Sequence, residues 1–299
     1  MTERIVTTLF EGGGFFEGPR WRDGTWWVSD FYRHQVSRIS TDGSETVVVE
    51  VAAQPSGLGW LPDGSLVISS MKDHRLLRYA HGELSILADL STYAGGSLND
   101  LVTDAHGRSY VGNFGFDLMG GGAPATADLV RVDLDGTITV AATDLHFPNG
   151  TVITPDGSTL IVGETTGNRY TAFTIAADGS LTDRRTWAEF GSLPVADSVA
   201  DGLAQITVAP DGCTLDAEGR IWVADALGNR CVLVAEGGEI LDEVRVPGGL
   251  GVYACALGGE DGRTLLLCSA PDFFEHNRMS AREAVLFTTT VDVPHAGLP

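Results

Sequence analysis

The sequence predicts an all-β chain of six four-stranded repeats closed into a ring, on three observations. First, one residue slot recurs. Glu17, Ser56, Asn99, Asn149 and Asp211 each open a stretch in which the glycine of a D-G, H-G or E-G turn follows seven or eight residues later. Second, short β-branched runs between turn residues come four to a repeat of about forty residues. Third, the last repeat supplies only three such runs, while a spare one, RIVTTLF at residues 4–10, is left at the other end. Pairing the two ends closes the ring and removes an exposed sheet edge. The expected class is therefore a six-bladed β-propeller, with residues 1–299 forming one domain.

The elements follow in order. The first blade reads GPRW, TWWVSD, HQVSRIS and ETVVVEV, turning at Asp23-Gly24 and at Thr41-Asp42-Gly43. PSGLGW, SLVISS, HRLLRYA and ELSILADL make the second, and NDLVTDAHG, RSYVGNF, ADLVRVD and TITVAATDL the third. NGTVITPDG, TLIVGET, RYTAFTI and SLTDRRTWAEF make the fourth; DGCTLDAEG, RIWVADA, RCVLVAE and EILDEVRVP the fifth. GVYACALGG, RTLLLCSAP and REAVLFTTTV give the incomplete sixth, which residues 4–10 complete. Successive slots are 39, 43, 50 and 62 residues apart. The two long gaps locate insertions at 113–128 and 191–205, of a length expected of lids over a site.

Composition narrows the function. With 43% hydrophobic residues, 38 Gly and 12 Pro, the chain has ample core and many tight turns. A formal charge of −21 excludes nucleic acid, whose phosphates need Lys and Arg, and docking on anionic membranes. No apolar run approaches the ~20 residues of a membrane span. MTERIVTTLF lacks the apolar core and cleavage site of a signal peptide, so a cytoplasmic location is expected. Cys213, Cys231, Cys255 and Cys268 show no C-x-x-C spacing and read as buried thiols. Trp21, Trp60 and Trp222 recur at matching strand positions and read as packing between blades.

The slot supports a specific chemistry. Equivalent positions in a closed ring point to one place, and Glu17, Asn99, Asn149 and Asp211 bring two carboxylates and two amide carbonyls there. Hard oxygen donors of this kind suit one divalent cation, Ca²⁺ first, with Mn²⁺, Mg²⁺ or Zn²⁺ as alternatives. Against this stands the ordinary use of Asn and Asp in turns, where they bond their own backbone. Four oxygen donors at one slot of one ring favour the cation. Ser56 reads as a non-ligand lining the same channel. His146, three residues before Asn149, reads as a surface or supporting residue within reach of the mouth. Lys72 is the only lysine, which argues against Schiff-base chemistry. Walker, H-E-x-x-H and G-x-S-x-G motifs are absent, and GLGVYA at 249–254 lacks the helix a dinucleotide fingerprint needs.

Together, E-G-P-x-W at Glu17, P-N-G at Asn149 and P-D-G-x-x-x-D-A-E-G-x-x-W-V-A at Asp211 resemble the senescence marker protein/gluconolactonase (regucalcin-like) family. The resemblance spans nearly the whole chain. It implies a divalent cation in the central channel on Glu17, Asn149 and Asp211, with Asn99 on or near it. It further implies hydrolysis of a lactone or related small ester, with Asp211 orienting or deprotonating water and Asn99 assisting. Relatives of similar architecture hydrolyse organophosphates, and a propeller with a structural ion in a binding or scaffold role is the non-enzymatic alternative. One departure bears on substrate. Sugar-lactonase members often carry R-x-N-D, whereas this chain has Ser97-Leu98-Asn99-Asp100, losing a forked donor set for hydroxyls. Ser97, His146 and the residues Phe114, Phe116, Asp117 and Met119 of the first insertion are the expected substrate and lid positions.

Overall fold

Burial in the sheets of this protein falls from the strand nearest the ring centre to the outermost one, as from Phe16–Arg22 to Glu45–Glu50 and from Pro55–Trp60 to Glu83–Asp89. The computed structural model describes residues 4–299. Strand β1 (Thr7–Gly13) comes first, followed by blade one: β2 (Phe16–Arg22), β3 (Thr25–Asp30), β4 (Gln35–Ile39) and β5 (Glu45–Glu50). Blade two is β6 (Pro55–Trp60), β7 (Leu66–Ser70), β8 (Arg75–Ala80) and β9 (Glu83–Asp89). Blade three is β10 (Leu98–Thr103), β11 (Ser109–Asn113), β12 (Ala127–Val132) and β13 (Ile138–Leu145). Blade four is β14 (Pro148–Ile153), β15 (Thr159–Glu164), β16 (Arg169–Ile175) and β17 (Leu181–Glu189). Blade five is β18 (Pro210–Leu215), β19 (Ile221–Asp225), β20 (Arg230–Val234) and β21 (Ile240–Val244). Blade six joins β22 (Gly251–Gly258), β23 (Thr264–Ala270) and β24 (Ala284–Thr290) to β1, in the order β1-β24-β23-β22. Among the described residues, α-helix is confined to two short pieces, α1 (Val199–Leu203) and α2 (Glu275–Arg278), with one 3-10 turn at Pro247–Gly249.

The result is the six-bladed all-β propeller expected. The innermost strands β2, β6, β10, β14, β18 and β22 pack against one another in sequence, and β22 returns to β2. They come so close that side chains are excluded at some points. A Cβ on Gly57 would lie 2.4 Å from Leu101 N, and one on Gly150 would lie 2.2 Å from Asp211 O. Strands just outside them, such as β7 and β11, are buried along their whole length, while β5 has no buried residue and β9 only one. Apolar layers fill the wedges between blades, as Trp222, Val252 and Leu267 do between blades five and six. Trp60 packs between blades as expected, on Trp27 at 5.5 Å, whereas Trp21 meets Trp26 of its own blade at 4.8 Å, with both against Gly258 of blade six. All four cysteines are buried and unpaired. Among the described residues, no helix is long and apolar enough to cross a membrane.

The closing strand differs from expectation in its bounds. It runs over Thr7–Gly13 and not 4–10, pairing Thr7 with Thr288 and Gly13 with Ala284. Residues 4–6 precede it, held by side chains instead of the ladder. Thr289 Oγ1 donates to Ile5 O at 2.9 Å, and the Arg4 guanidinium reaches Thr290 O and the Asp242 carboxylate. Register shifts at Thr8/Phe10 and Glu11/Gly13 let the strand continue through a segment with no apolar pattern. Removing residues 1–13 would leave β24 as a bare edge. The truncated chain is expected to melt at least several degrees lower or to self-associate, read by thermal unfolding and size-exclusion chromatography. A monomer with the parental Tm would contradict closure by β1.

Candidate functional site

The recurring slot is a β-bulge. In the five inner strands that carry it, pairing with the neighbour slips at that point: between Glu17 and Arg20, Pro55 and Leu58, Leu98 and Leu101, Pro148 and Thr151, and Pro210 and Cys213. A bulge breaks the regular alternation and re-aims a side chain, here toward the channel.

A second device pins the backbone just before three of these bulges. Asp30, Glu164 and Asp225 end β3, β15 and β19, and all three are buried. Asp30 accepts from the amides of Gly14 and Phe15, Glu164 from His146 N at 2.8 Å, and Asp225 from Ala209 N at 3.0 Å. Each therefore fixes the chain two or three residues ahead of Glu17, Asn149 or Asp211. Arg169 and Arg230 hold Glu164 and Asp225 from behind at 2.8 and 2.9 Å.

Glu17, Asn99, Asn149 and Asp211 all line one pocket in the channel. Glu17, Asn99 and Asn149 are almost wholly buried. Asn149 is oriented: its Nδ2 donates to Thr165 Oγ1 at 3.0 Å, and that hydroxyl donates to Pro210 O at 2.7 Å. With the amide nitrogen so engaged, the carbonyl oxygen is the atom left for a ligand. Asn99 keeps a free amide, its Nδ2 buried and without a partner. Beneath the floor, Arg20 and Asp100 form an ion pair at 2.7 Å, each 3% exposed. Arg20 also donates to the carbonyls of Leu58, Pro19 and Leu101, which ties three neighbouring inner strands together.

The electrostatics of the floor are severe. Burial, with the neighbouring Asp211 and Asp100, pushes Glu17 well above the carboxylate range, opposed only by Gly18 N and Arg20. Burial pushes Asp211 up to about 8, and Asp100 adds to the rise, while the contact with the Asn149 amide works against it. Glu17, Asp100 and Asp211 carry three formal negative charges against one from Arg20. The balance, −2, is that of one divalent cation. The donors present fit such an ion: two carboxylates and two amides, all hard. Among the described residues no group of three or more His, Cys, Asp or Glu is disposed to hold a metal, so the amides are needed to complete the set.

Above the floor the pocket is aromatic. Phe15 packs on Tyr253 at 4.8 Å on one side, and Phe114 on Phe147 at 4.3 Å on another, with Phe31, Tyr32 and Phe273 beyond. Of the expected substrate and lid residues, Ser97, Phe114 and Met119 line this pocket. Phe116 and His146 line a neighbouring cavity, and Asp117 folds onto its own loop, accepting from Gly120 N at 2.8 Å. Ser56 is fully buried and stays outside the lining. Sequence reasoning missed the aromatic wall from blades one and six and the Arg20–Asp100 pair. It also missed the role of Lys72, which lines the mouth and meets Glu275 at 3.0 Å. The solitude of Lys72 in the sequence was the available signal.

The pocket of this propeller thus joins a carboxylate–amide floor to largely aromatic walls, with the Lys72–Glu275 pair at its mouth. The chain belongs to the SMP-30/gluconolactonase/LRE-like family, whose region matches residues 15–271. It is 27% identical over 312 residues to a 6-deoxy-6-sulfogluconolactonase of Pseudomonas putida, covering 100% of this chain and 99% of the relative. It is 30% identical over 277 residues to the pentonolactonase XacC of Haloferax volcanii, covering 89% and 84%. Among solved structures, a regucalcin from Agrobacterium tumefaciens, described as calcium-binding, superposes with a TM-score of 0.78. It is 23% identical, over 99% of this chain and 97% of that one. A luciferin-regenerating enzyme matches equally well, at TM-score 0.78 and 18% identity over 99% and 98%. At those identities the likeness is one of fold.

The charge on the floor sets a pH dependence. Asp211 rises from an ordinary 3.8 to about 8 on folding, so the folded chain binds that proton more tightly than the unfolded one. The cation-free protein therefore has this contribution in full at acid pH and loses it as pH climbs from about 4 to about 8. A divalent cation bound on the floor would take the proton's place. The Tm gained on adding Ca²⁺ to chelator-treated protein is expected to grow from pH 5 to pH 8.5, as read by differential scanning calorimetry. A gain independent of pH would contradict the floor as drawn.

Proposed function

We propose that the protein is a lactonase that depends on one divalent cation, Ca²⁺ first. Its substrate is a small lactone less polar than a sugar lactone. The observation that carries this is the meeting of Glu17, Asn99, Asn149 and Asp211 on the floor of a single open pocket. The relatives support it, since two that align over most or all of their length are named as lactonases. A bound divalent cation supplies Lewis acidity to the ring carbonyl and stabilises the negative charge that develops there.

The chain's own residues do the remainder. Glu17, Asn149 and Asp211 hold the cation, and the free amide of Asn99 completes the set or bonds the carbonyl oxygen. Asp211 orients the attacking water. The water oxygen bonds to the ring carbonyl carbon, the ring C–O bond breaks, and the water's proton ends on the departing alkoxide, giving a hydroxy acid. Arg20 keeps the Asp100 carboxylate paired below the floor and away from that chemistry. Phe15, Tyr253, Phe114 and Phe147 exclude bulk water from the pocket, which strengthens every charge interaction in it. An open pocket above the donors favours an enzyme over a purely structural ion. Ser97, in place of the arginine of R-x-N-D members, and the aromatic walls set the polarity of the substrate.

Asp211→Asn separates positioning from charge, because the amide keeps the shape and one oxygen. At full cation occupancy, turnover of a simple γ-lactone is expected to fall about 10²–10⁴-fold, while calorimetry shows a much smaller loss of cation affinity. Parental turnover in the loaded variant would remove Asp211 from catalysis. Absence of lactone turnover by the parent with any divalent cation would overturn the lactonase reading.

A further inference from the structure

Beside the pocket over the four donors lies a second cavity of about 280 Å³. The two insertions make it. Phe116 and Pro124 come from the first, Pro194, Val195 and Val199 from the second, and His146 from the turn between blades three and four. Thr166 and Leu203 line both cavities, so these two side chains form the partition.

The second cavity is uncharged. In a chain with 40 acidic residues, no Asp, Glu, Lys or Arg lines it. Asp201, on the same short helix as Leu203, pairs with Ser198 instead. His146 is its one ionisable group, and burial lowers its pKa, which keeps the imidazole neutral near pH 7. Val195, at the rim, is 86% exposed, an apolar side chain held in the open beside an apolar space.

Because Thr166 and Leu203 border both cavities, a substituent on a ring held over the donors lies within reach of the second one. We propose that the second cavity is the substituent subsite of the same active site, and that it takes the extended alkyl arm of a lactone whose ring lies over Glu17, Asn99, Asn149 and Asp211. This rests on the lactonase reading for the ring and adds the arm. A charged or polyhydroxylated arm would lose its water there and find only Thr126, Thr166 and His146 as polar side-chain partners. An alkyl arm gains with each methylene it buries.

The test is a series of γ-lactones with unbranched chains from methyl to octyl, assayed on the full-length, Ca²⁺-loaded protein. For the parent, kcat/KM is expected to rise about fourfold per methylene until the cavity is filled. Val199→Trp places an indole in the cavity from a surface helix. It is expected to lower the octyl-to-methyl ratio of kcat/KM at least tenfold. A parent that turns over the methyl compound with no gain along the series overturns the subsite and leaves the lactonase reading intact. If no lactone is turned over, that reading fails and the subsite is judged by calorimetry with non-hydrolysable γ-alkyl lactams. Affinity that rises with chain length and is lost in Val199→Trp supports it. Flat or undetectable binding overturns it.

Discussion

The rest of the structure is arranged around uncompensated negative charge on the axis. Glu17 and Asp211 share one buried floor, Asp100 lies just beneath, and Arg20 answers only one of the three. Left to themselves, buried carboxylates protonate rather than remain charged together. That is the direction in which both Glu17 and Asp211 are displaced. A fold that maintains such a centre needs a rigid frame, and on the proposed reading a divalent cation relieves the charge. The ring of inner strands supplies the frame, and Arg20 braces it from inside through carbonyls on three successive blades.

Rigidity at the floor comes from backbone geometry more than from the side chains that do the chemistry. Each slot sits where the ladder slips, and the slip aims the side chain. Asp30, Glu164 and Asp225 then tie down the chain just before three of those slips. The insertions, by contrast, are held unevenly. Phe114 is buried against Phe147 and Leu118 packs on the same core cluster, whereas Val195 is 86% exposed.

Much of this was legible in the sequence, for a physical reason. A closed repeat sends equivalent positions to one place, so Glu17, Asn99, Asn149 and Asp211 could be grouped without knowing any distance between them. The missing strand of the last blade was legible in the same way, as a deficit at one end and a surplus at the other. Its register was not. Apolar content marked residues 4–10, while pairing with Ala284–Thr290 carries the strand on through Glu11 and Gly13, where composition gives no cue. The Arg20–Asp100 pair was hidden because it spans 80 residues and depends on how two blades meet. Phe116 and His146 were expected near the mouth from their closeness in sequence to the site. The structure turns both toward the cavity between the insertions. Side-chain direction past a bulge or within a long loop is set by neighbours that sequence spacing does not reveal.

The claim on which everything else stands is that the four slot residues meet on one ion. Crystals grown with Ca²⁺ test it directly, by density and anomalous signal on the propeller axis. The account predicts one peak with oxygens of Glu17, Asn149 and Asp211 at about 2.3–2.6 Å, and the Asn99 amide facing it. A cation bound elsewhere, or a floor that takes up none at saturating Ca²⁺ and pH 8.5, would contradict it.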